Sequence, residues 1–318
     1  MLQKFQDIIQ KVSPLFDELF VSYQKSYHHD KKFSLISFSL EDENNLIICP
    51  LTIQTFNYSN ELGFYGNPFE IISKNKLSKS SAARVLKKID EIKKKNNIQK
   101  ISLKLEIKEN EVNHYLDKNS YSVDEIYVES RIDLENSLDD VKKDFSKGHK
   151  SCLKIEYPEI SYEITDHNNY INNQIREMQK LHLNVSKNKT RSDETWLEME
   201  KMVLEKKGFM IKVKNNNVLI GYSFFFHNTY NVYYFSSCIL RDNFKFYKNI
   251  GHTMILNAIK YSKKTNLKYF ILGRSKTLFE LENKNDTKVY NVEKFKSSFG
   301  GKKKYYVIFK DIPLNLHF

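Results

Sequence analysis

Apolar residues recur along the chain with two periods, one typical of helices and one typical of strands. Apolar positions three and four apart predict amphipathic helices at 14–28, 78–97, 168–186, 193–207 and 248–264, with further helices at 109–119 and near 287–298. Alternating or uniformly apolar runs predict strands at 33–40, 45–56, 100–107, 122–134, 159–165, 268–273 and 303–310, and three more between 208 and 240. The sequence therefore predicts a chain that mixes helices and strands throughout.

Residues with short polar side chains indicate where these elements begin and turn. Ser78 opens a helix that ends in lysines, as the helix dipole favours. Ser137 opens a Ser-x-x-Asp box at the start of a basic helix predicted over 137–155. Asn-rich segments at 215–217 and 227–231 predict tight turns between antiparallel strands.

The order of the elements repeats along the chain. Each half holds an antiparallel strand set, then a helix, then another strand, and the first set includes a hairpin turning at the polar segment 41–45. This repetition predicts an α+β protein of two similar domains, 1–150 and 151–318, each a mostly antiparallel sheet flanked by helices. The length of 318 residues suits two domains, since single cores stop growing near ~250–300 residues.

The composition is that of a folded, basic protein. Hydrophobic residues make up 40% of the chain, enough for real cores, so wholesale disorder is excluded. A formal charge of +12 predicts affinity for an anionic partner, whether nucleic acid, a membrane surface or a phosphorylated small molecule. The lysines are spread along the chain, and the run at 87–97 reads as a solvated helix face rather than a dedicated nucleic-acid stripe.

Cysteine usage and the apolar runs bear on the compartment. The three cysteines, Cys49, Cys152 and Cys238, lie far apart without metal-ligand spacing, which argues against a zinc site and fits a reducing environment. The N-terminal segment carries no signal-peptide pattern, and no run reaches the ~18 apolar residues of a membrane span. A cytoplasmic protein without a transmembrane segment is expected.

The first candidate site lies at the start of the helix predicted over 248–264. Exposed N–H groups and the helix dipole make such a start suitable for a phosphate, which Lys248 would attract and Gly251 would allow to approach. Lys-x-x-Gly-x-Thr, ending at Thr253 and including His252, approximates the (Arg/Gln)-x-x-Gly-x-(Gly/Ala) signature of acyl-CoA binding but departs at its first and last positions. An ordinary helix start is the alternative interpretation.

The second candidate site lies in "LHLNVSKNKTRSDETW", residues 181–196. His182 has the ordinary pKa of a general base near neutrality, and Arg191 has the planar donor set that grips a carboxylate or phosphate. Asp193 follows as a second proton acceptor. The alternatives are a packed or surface histidine, an arginine that pairs with a neighbouring carboxylate, and a Trp196 that anchors the core.

A third candidate lies in the Gly/Pro loop "ELGFYGNPFEI", where Tyr65 either faces a substrate or belongs to a plain structural loop. The motifs GxSxG, HExxH, Walker A and GxGxxG are absent from the sequence.

Taken in order, several stretches resemble the FemAB-like family of tandem GCN5-related acyltransferase folds. They are "ELGFYGNP", "SLDDVKKDFSKGHKSCLKIEYPEISYEI", "LHLNVSKNKTRSDETW", "GFMIKVKNNNVLIGYSFFFHNTYNVYYFSS", "NIGHTMILNAIKYSKKTNLKYFILG" and "EKFKSSFGG". The resemblance covers most of the chain from about residue 60 onward. Its most specific parts are the Lys-Thr-Arg-Ser…Trp stretch and the Phe-Lys-x-x-Phe-Gly-Gly stretch.

The resemblance implies an N-acyl or aminoacyl transfer to an amine, often on a cell-wall precursor or a nucleotide-linked or polysaccharide amino sugar. The donor is either acyl-CoA or aminoacyl-tRNA, and no metal is required. In that scheme Arg191, Arg274 and Lys296 neutralise an anionic acceptor, and Lys248 with Gly251 holds the donor. A catalytically inactive tandem module that binds nucleic acid or protein through its basic surface is the competing hypothesis. A transferase acting on protein lysines or N-termini is a third.

Overall fold

The computed structural model describes residues 16–42, 45–73, 75–108, 123–240, 242, 246–276 and 287–310. The chain divides into two compact units, one formed by 1–128 with 304–318 and the other by 129–303. The boundary predicted near residue 150 falls inside the second unit. The helix predicted at 109–119 lies outside the described residues.

The first unit contains three sets of paired strands and two described helices. The helices are α1 (Glu18–Tyr27) and α2 (Lys79–Lys95), and the strands are β1 (Lys32–Leu35), β2 (Phe38–Asp42), β3 (Asn45–Cys49), β4 (Thr52–Phe56), β5 (Ser59–Gly63), β6 (Phe69–Glu70), β7 (Ile72–Ser73), β8 (Lys100–Ile101) and β9 (Leu103–Ile107). One sheet has the order β1-β4-β5-β8 and another has the order β2-β3-β7, while β6 pairs with β9. The hairpin predicted at 41–45 is confirmed, because Asp42 pairs with Asn45.

The two strands predicted at 33–40 and 45–56 each divide in two, since the chain changes sheets within both. The breaks meet at Ser37 and Leu51, where the Leu51 N–H donates to Ser37 Oγ at 2.9 Å and the Ile36 N–H donates to the Leu51 carbonyl at 2.9 Å. Pro50 adds to the break, because it has no N–H to give to a strand ladder. Local alternation could not reveal this, since the residues on either side remain apolar.

In the second unit a sheet is flanked by helices. The chain enters this unit within β10 (Val123–Asp133) and leaves it within β16 (Lys302–Phe309). The helices are α3 (Leu138–Lys143), α4 (Lys147–Cys152), α5 (Gln174–Ser186), α6 (Asp193–Leu204), α7 (Ile250–Lys264) and α8 (Thr287–Ser297), and the other strands are β11 (Ile160–Thr165), β12 (Gly208–Asn215), β13 (Val218–His227), β14 (Asn231–Ile239) and β15 (Tyr269–Lys276). Strands β11 to β14 form an antiparallel meander, and β15 joins β14 in parallel.

The predicted asparagine turns of the meander are confirmed. Asn216 and Asn217 adopt φ values of 45° and 68° between β12 and β13, a region that asparagine enters more readily than most residues. In the next turn the side-chain oxygen of Asn228 accepts hydrogen bonds from the N–H groups of Tyr230 and Asn231, at 3.0 and 2.7 Å.

The basic helix predicted over 137–155 is instead two short helices, α3 and α4. Each has its own serine cap: Ser137 Oγ accepts from the Asp140 N–H at 3.1 Å, and Ser146 Oγ accepts from the His149 N–H at 3.3 Å. Phe145, between the helices, is buried in the core of the second unit. A second cap and a buried aromatic residue therefore favour a break over a continuous helix.

The core of the second unit lies between the meander and its helices. Phe209 stacks on Phe225 of the next strand with ring centroids 4.8 Å apart, and Phe225 contacts Phe270 of β15 at 5.9 Å with the rings tilted. The apolar face of α7, which includes Met254 and Ile259, is buried in the same cluster. Each such side chain contributes about 1.5–3 kcal/mol on burial. Among the described residues, no helix is both long and apolar enough to cross a membrane.

Candidate active site

The parallel strands β14 and β15 separate after a short paired stretch. Their register joins Asn231 to Tyr269 and Tyr233 to Ile271, while β14 continues to Ile239 and β15 to Lys276. Two irregularities follow the pairing, a bulge at Phe235 on β14 and a φ of +81° at Gly273 on β15. Bulges occur often beside active sites, and ligands of mixed sheets bind beyond the carboxyl ends of parallel strands.

Helix α7 follows β14 and begins without a side-chain cap. The N-cap residue is Asn249, whose amide donates instead to the Ile155 carbonyl, and its main-chain oxygen accepts from the Thr253 N–H at 2.9 Å. The N–H groups of Ile250, Gly251 and His252 therefore belong to the open first turn, where the helix dipole favours an anion. Lys248, directly before this turn, is exposed.

Asn249 Oδ1, at the start of α7, and Ser275 Oγ, on β15 beyond its pairing with β14, are buried and have no hydrogen-bond partner among the described residues. Since a buried polar atom without a partner costs free energy, both indicate a place where a bound molecule could supply one.

The side chains of the predicted helix-start motif are used mainly in packing. A Cβ on Gly251 would lie 3.4 Å from Phe295 Cζ, so Phe295 of α8 packs close to this glycine. His252 also packs on Phe295, with ring centroids 5.2 Å apart. The parts of this motif available to an anion are Lys248 and the main-chain N–H groups, and the binding roles of His252 and Thr253 stay predictions.

An aromatic cluster that the sequence did not reveal supports the same helix start. His149 contacts His252 with ring centroids 4.1 Å apart and Phe299 with centroids 4.4 Å apart. Its Nε2 lies 3.2 Å from the Phe295 carbonyl oxygen. Burial, together with the nearby His252, lowers the pKa of His149 to about 4, and burial also lowers the pKa of His252. Both rings are therefore neutral at pH 7.

The second predicted group is brought together at a cavity of about 160 Å³ between α5 and α6. Its lining includes Gln179, His182, Lys189, Arg191, Asp193 and Trp196. Arg191 Nη1 lies 3.4 Å from His182 Nε2, and the Arg191 guanidinium carbon lies 5.3 Å from the Trp196 ring centre. The His182 and Trp196 rings meet edge to face at 5.5 Å. Trp196 is thus both a buried anchor and part of the wall.

The contacts in this cavity fix the charge of each group. Burial, and secondly the Arg191 charge, lower the pKa of His182, so its imidazole is neutral at pH 7. Because a guanidinium can only donate, this contact assigns a lone pair to His182 Nε2 and the proton to Nδ1. Asp193 accepts from Gln179 Nε2 at 2.6 Å and lies 3.6 Å from Lys189 Nζ, contacts that lower its pKa and keep it ionised.

Helix α5, which forms one wall of the cavity, contacts β14 beyond its pairing with β15. The Cys238 thiol, near the end of β14, donates to the Met178 carbonyl of α5 at 3.9 Å. Burial raises the pKa of Cys238 to about 12, and the Arg191 charge partly opposes that rise. Cys238 is therefore a neutral thiol behind the cavity wall rather than a nucleophile.

Lys296 and Arg274 also come together in this unit. Lys296 Nζ donates to the main-chain oxygen of Arg274 at 2.7 Å, and burial lowers the pKa of Lys296. The Arg274 side chain is exposed on β15, directly after Gly273. This pair lies beyond the point where β14 and β15 separate.

Tyr65 belongs to the first unit and is only 8% exposed. Its ring packs on Phe33 and Phe64, with centroids 5.3 and 4.9 Å away, and burial raises the pKa of its hydroxyl. A role in substrate binding stays a prediction. Within the described part of the chain, no three His, Cys, Asp or Glu side chains stand close enough together to hold a metal ion.

The fold is that of tandem GCN5-related acyltransferase domains. No protein-family model matches the sequence, and no curated protein matches it either. Solved structures do match. FemX is similar over 96% of this chain and 95% of its own length, with 10% identity and a TM-score of 0.65.

Two further structures agree with this likeness. The tandem GNAT protein from the clavulanic acid biosynthesis pathway covers 89% of this chain and 85% of its own, with 7% identity and a TM-score of 0.52. The C-terminal domain of a protein assigned as a lysylphosphatidylglycerol synthetase of Agrobacterium fabrum covers 95% and 90%, with 11% identity and a TM-score of 0.52. The predicted α+β tandem fold and the resemblance to the FemAB-like family are thus confirmed at the level of fold.

Proposed function

We propose that this protein is an N-acyltransferase that moves an acyl or aminoacyl group onto an amine. The observation that carries the proposal is that β14 separates from β15, and that the separated part of β14 lies between two sets of polar groups. The open first turn of α7 follows β14, and α5, which forms one wall of the cavity with His182 and Arg191, contacts Cys238 near the end of that strand. A donor held at the helix start and an amine held at the cavity would meet along β14.

The reaction forms one bond and breaks one. The amine nitrogen attacks the donor carbonyl carbon, the C–N bond forms, and the bond from that carbon to the donor's sulfur or oxygen breaks. When the Arg191 guanidinium shifts from His182 Nε2 to an anionic acceptor, the neutral imidazole accepts at Nε2 the proton that the amine loses and passes it to the leaving thiolate or alkoxide. Asp193 is the other candidate acceptor, ionised but engaged by Gln179 and Lys189.

The donor and the oxyanion require positive groups at fixed places. The main-chain N–H groups of Gly251 and His252, with Lys248 beside them, suit a donor phosphate or the developing oxyanion. Positioning supplies much of the rate in such transfers, so the geometry of these N–H groups matters more than any single side chain.

The acceptor is proposed to be a nucleotide-linked amino sugar or another cell-envelope precursor. Arg191, Arg274 and Lys296 supply the positive charge that an anionic acceptor needs. The likeness to FemX and to a protein assigned as a lysylphosphatidylglycerol synthetase supports this class, together with either acyl-CoA or aminoacyl-tRNA as donor. We place the activity in the cytoplasm, where such activated donors occur.

The experiment combines ligand binding with turnover. The purified protein is screened by thermal shift against acyl-CoAs and nucleotide-sugars, and against charged tRNA by gel shift. A stabilising ligand is then tested in a transfer assay with Lys248→Ala and Arg191→Ala, using Lys260→Ala, an exposed lysine of α7, as the matched control. We expect Lys248→Ala and Arg191→Ala each to lower turnover at least about tenfold. The control variant Lys260→Ala should turn over at the wild-type rate.

The competing binding-module hypothesis makes a different prediction. A protein that holds nucleic acid only through its +12 charge should bind any sequence with an affinity that falls steeply with salt, and should give no transfer product. Saturable stabilisation by a donor and product formation would exclude it. Full turnover in both Lys248→Ala and Arg191→Ala would refute the proposed site.

A further inference from the structure

The hairpin between β4 and β5 carries exposed aromatic residues at its tip. Tyr58 is 101% exposed, as much as a side chain in an extended peptide, and Phe56, two residues before it, is 42% exposed. Two aromatic rings left in water forgo the free energy that burial of their apolar surface would supply. Contact of the tip with an apolar partner would recover that free energy.

Turn geometry does not require an aromatic residue here. Asn57 and Tyr58 have φ values of 46° and 64°, a turn type that favours Asn-Gly and strains a bulky residue at its second position. The hairpin between β12 and β13 makes the same turn with Asn216 and Asn217, at 45° and 68°. A second asparagine is therefore enough for this turn, and Tyr58 occupies a position whose positive φ favours a smaller residue.

Lysines lie on the neighbouring strands and on the helix end next to this hairpin. Lys31 and Lys100 both approach Glu61, with Nζ atoms 3.9 and 3.7 Å from its carboxylate, and Lys32 is exposed on the neighbouring strand β1. The lysine-rich end of α2 also lies close, since the Asn60 amide donates to the Asn96 carbonyl at 3.1 Å. The last turn of that helix contains Lys93, Lys94 and Lys95.

The charge of this region is net positive. Six lysines (31, 32, 93, 94, 95 and 100) stand against the carboxylates of Asp30, Glu61 and Asp90. Aromatic side chains sit favourably at the headgroup level of a bilayer, and lysines beside them are attracted to anionic headgroups. A projecting tip can insert into the interfacial region of a bilayer. Single-stranded nucleic acid instead binds in a groove with aromatic side chains on which its bases stack.

We propose that the tip of the β4–β5 hairpin, Phe56 to Tyr58 with the neighbouring lysines, docks the protein on an anionic membrane surface. The two aromatic rings enter the interfacial region, and the lysines contact the headgroups. The protein is held peripherally and reversibly, which would keep it beside acceptors or products at the membrane. This inference stands apart from the acyl-transfer proposal, since it concerns a different surface and needs no turnover.

The test uses co-sedimentation of the full chain with vesicles of phosphatidylcholine alone and of phosphatidylcholine mixed with phosphatidylglycerol. The decisive variant is Tyr58→Asn, which copies the Asn–Asn turn of the β12–β13 hairpin. We expect it to melt at the wild-type temperature or above, because asparagine tolerates positive φ better, and to bind the anionic vesicles at least about fivefold more weakly. Lys32→Gln should also weaken binding, and Lys260→Gln should not.

The outcomes separate the explanations. Binding that requires phosphatidylglycerol, falls with salt and is lost in Tyr58→Asn supports the proposal. Equal binding by wild type and Tyr58→Asn, equal binding to both vesicle types, or no vesicle binding together with salt-sensitive binding to RNA would each overturn it. Transfer of a soluble substrate by Tyr58→Asn at the wild-type rate would show that the two sites are separate.

Discussion

Replacing Gly300 by alanine tests whether the paired glycine before β16 is a structural turn. Gly300 has a φ of +68°, which costs an L-residue about 1–2 kcal/mol. An added Cβ would lie 2.5 Å from the Asp144 main-chain oxygen and 2.7 Å from the Asp144 Cβ. These are backbone and near-backbone atoms, so a side-chain rotation cannot relieve the overlap. Strain and displacement together predict a loss of about 3 kcal/mol or more of unfolding free energy.

The displacement is costly because this backbone is fixed on both sides. The Ser146 N–H donates to the Ser298 carbonyl at 2.9 Å, and Phe145 and Phe299 pack edge to face at 5.3 Å. Moving Asp144 would therefore disturb the start of α4 and the core beneath it. The structure leaves the turn little freedom to absorb a methyl group.

Gly148→Ala is the matched control in the same unit. Gly148 lies within helix α4, and a Cβ there would lie 4.0 Å from Ser146 Oγ, an ordinary contact distance. Alanine is favoured over glycine in a helix by about 0.5–1 kcal/mol, so this variant should be as stable as the wild type or slightly more stable. Urea unfolding can be followed by the fluorescence of Trp196, the only tryptophan, which is 3% exposed. A Gly300→Ala midpoint equal to that of the wild type would refute the reasoning.

Two further predictions concern titration and reactivity. The pKa of His149 is lowered to about 4 in the folded protein, against about 6.5 in the unfolded chain. Between these pH values the unfolded state binds more protons, so the free energy of unfolding should fall as the pH falls from 6.5 to 4. The fall should be less steep in His149→Phe. Thermal melts across this range measure it, and equal slopes would contradict the assignment. Among the cysteines, half-exposed Cys152 should react fastest with a thiol reagent, because Cys49 and Cys238 are buried and burial raises the pKa of both thiols. Rapid labelling of all three cysteines would contradict this prediction.

Sequence patterns predicted those parts of the fold that depend on local interactions. The asparagine turns of the meander followed from the ease with which asparagine adopts positive φ. The serine-capped starts of α2 and α3 depend on one side chain and the next three residues. The separation of β14 from β15 did not follow, because strand partners more than thirty residues apart are chosen by tertiary packing. The break between α3 and α4 was missed, because Ser146 was read as a helical residue.

The candidate site also contains some residues that local sequence brings together and others that only tertiary packing does. His182, Arg191 and Asp193 lie within a dozen residues of one another, so a helix and a short loop are enough to bring them together. The contact between His149 and His252 joins residues about a hundred positions apart. No local spacing contains that information, since it depends on how α4 and α7 pack.

The contacts of Phe295 join the two stretches that the sequence presented as separate. Its ring packs against Gly251 in the first turn of α7, and its carbonyl oxygen lies near His149 Nε2. Four residues later Phe299 packs on the same His149 before the chain turns at Gly300. The Phe-Lys-x-x-Phe-Gly-Gly stretch is therefore the support for the helix start that presents N–H groups to a ligand. Because positioning those groups is what an acyl transfer most needs, the conformation of this stretch bears directly on the proposed chemistry.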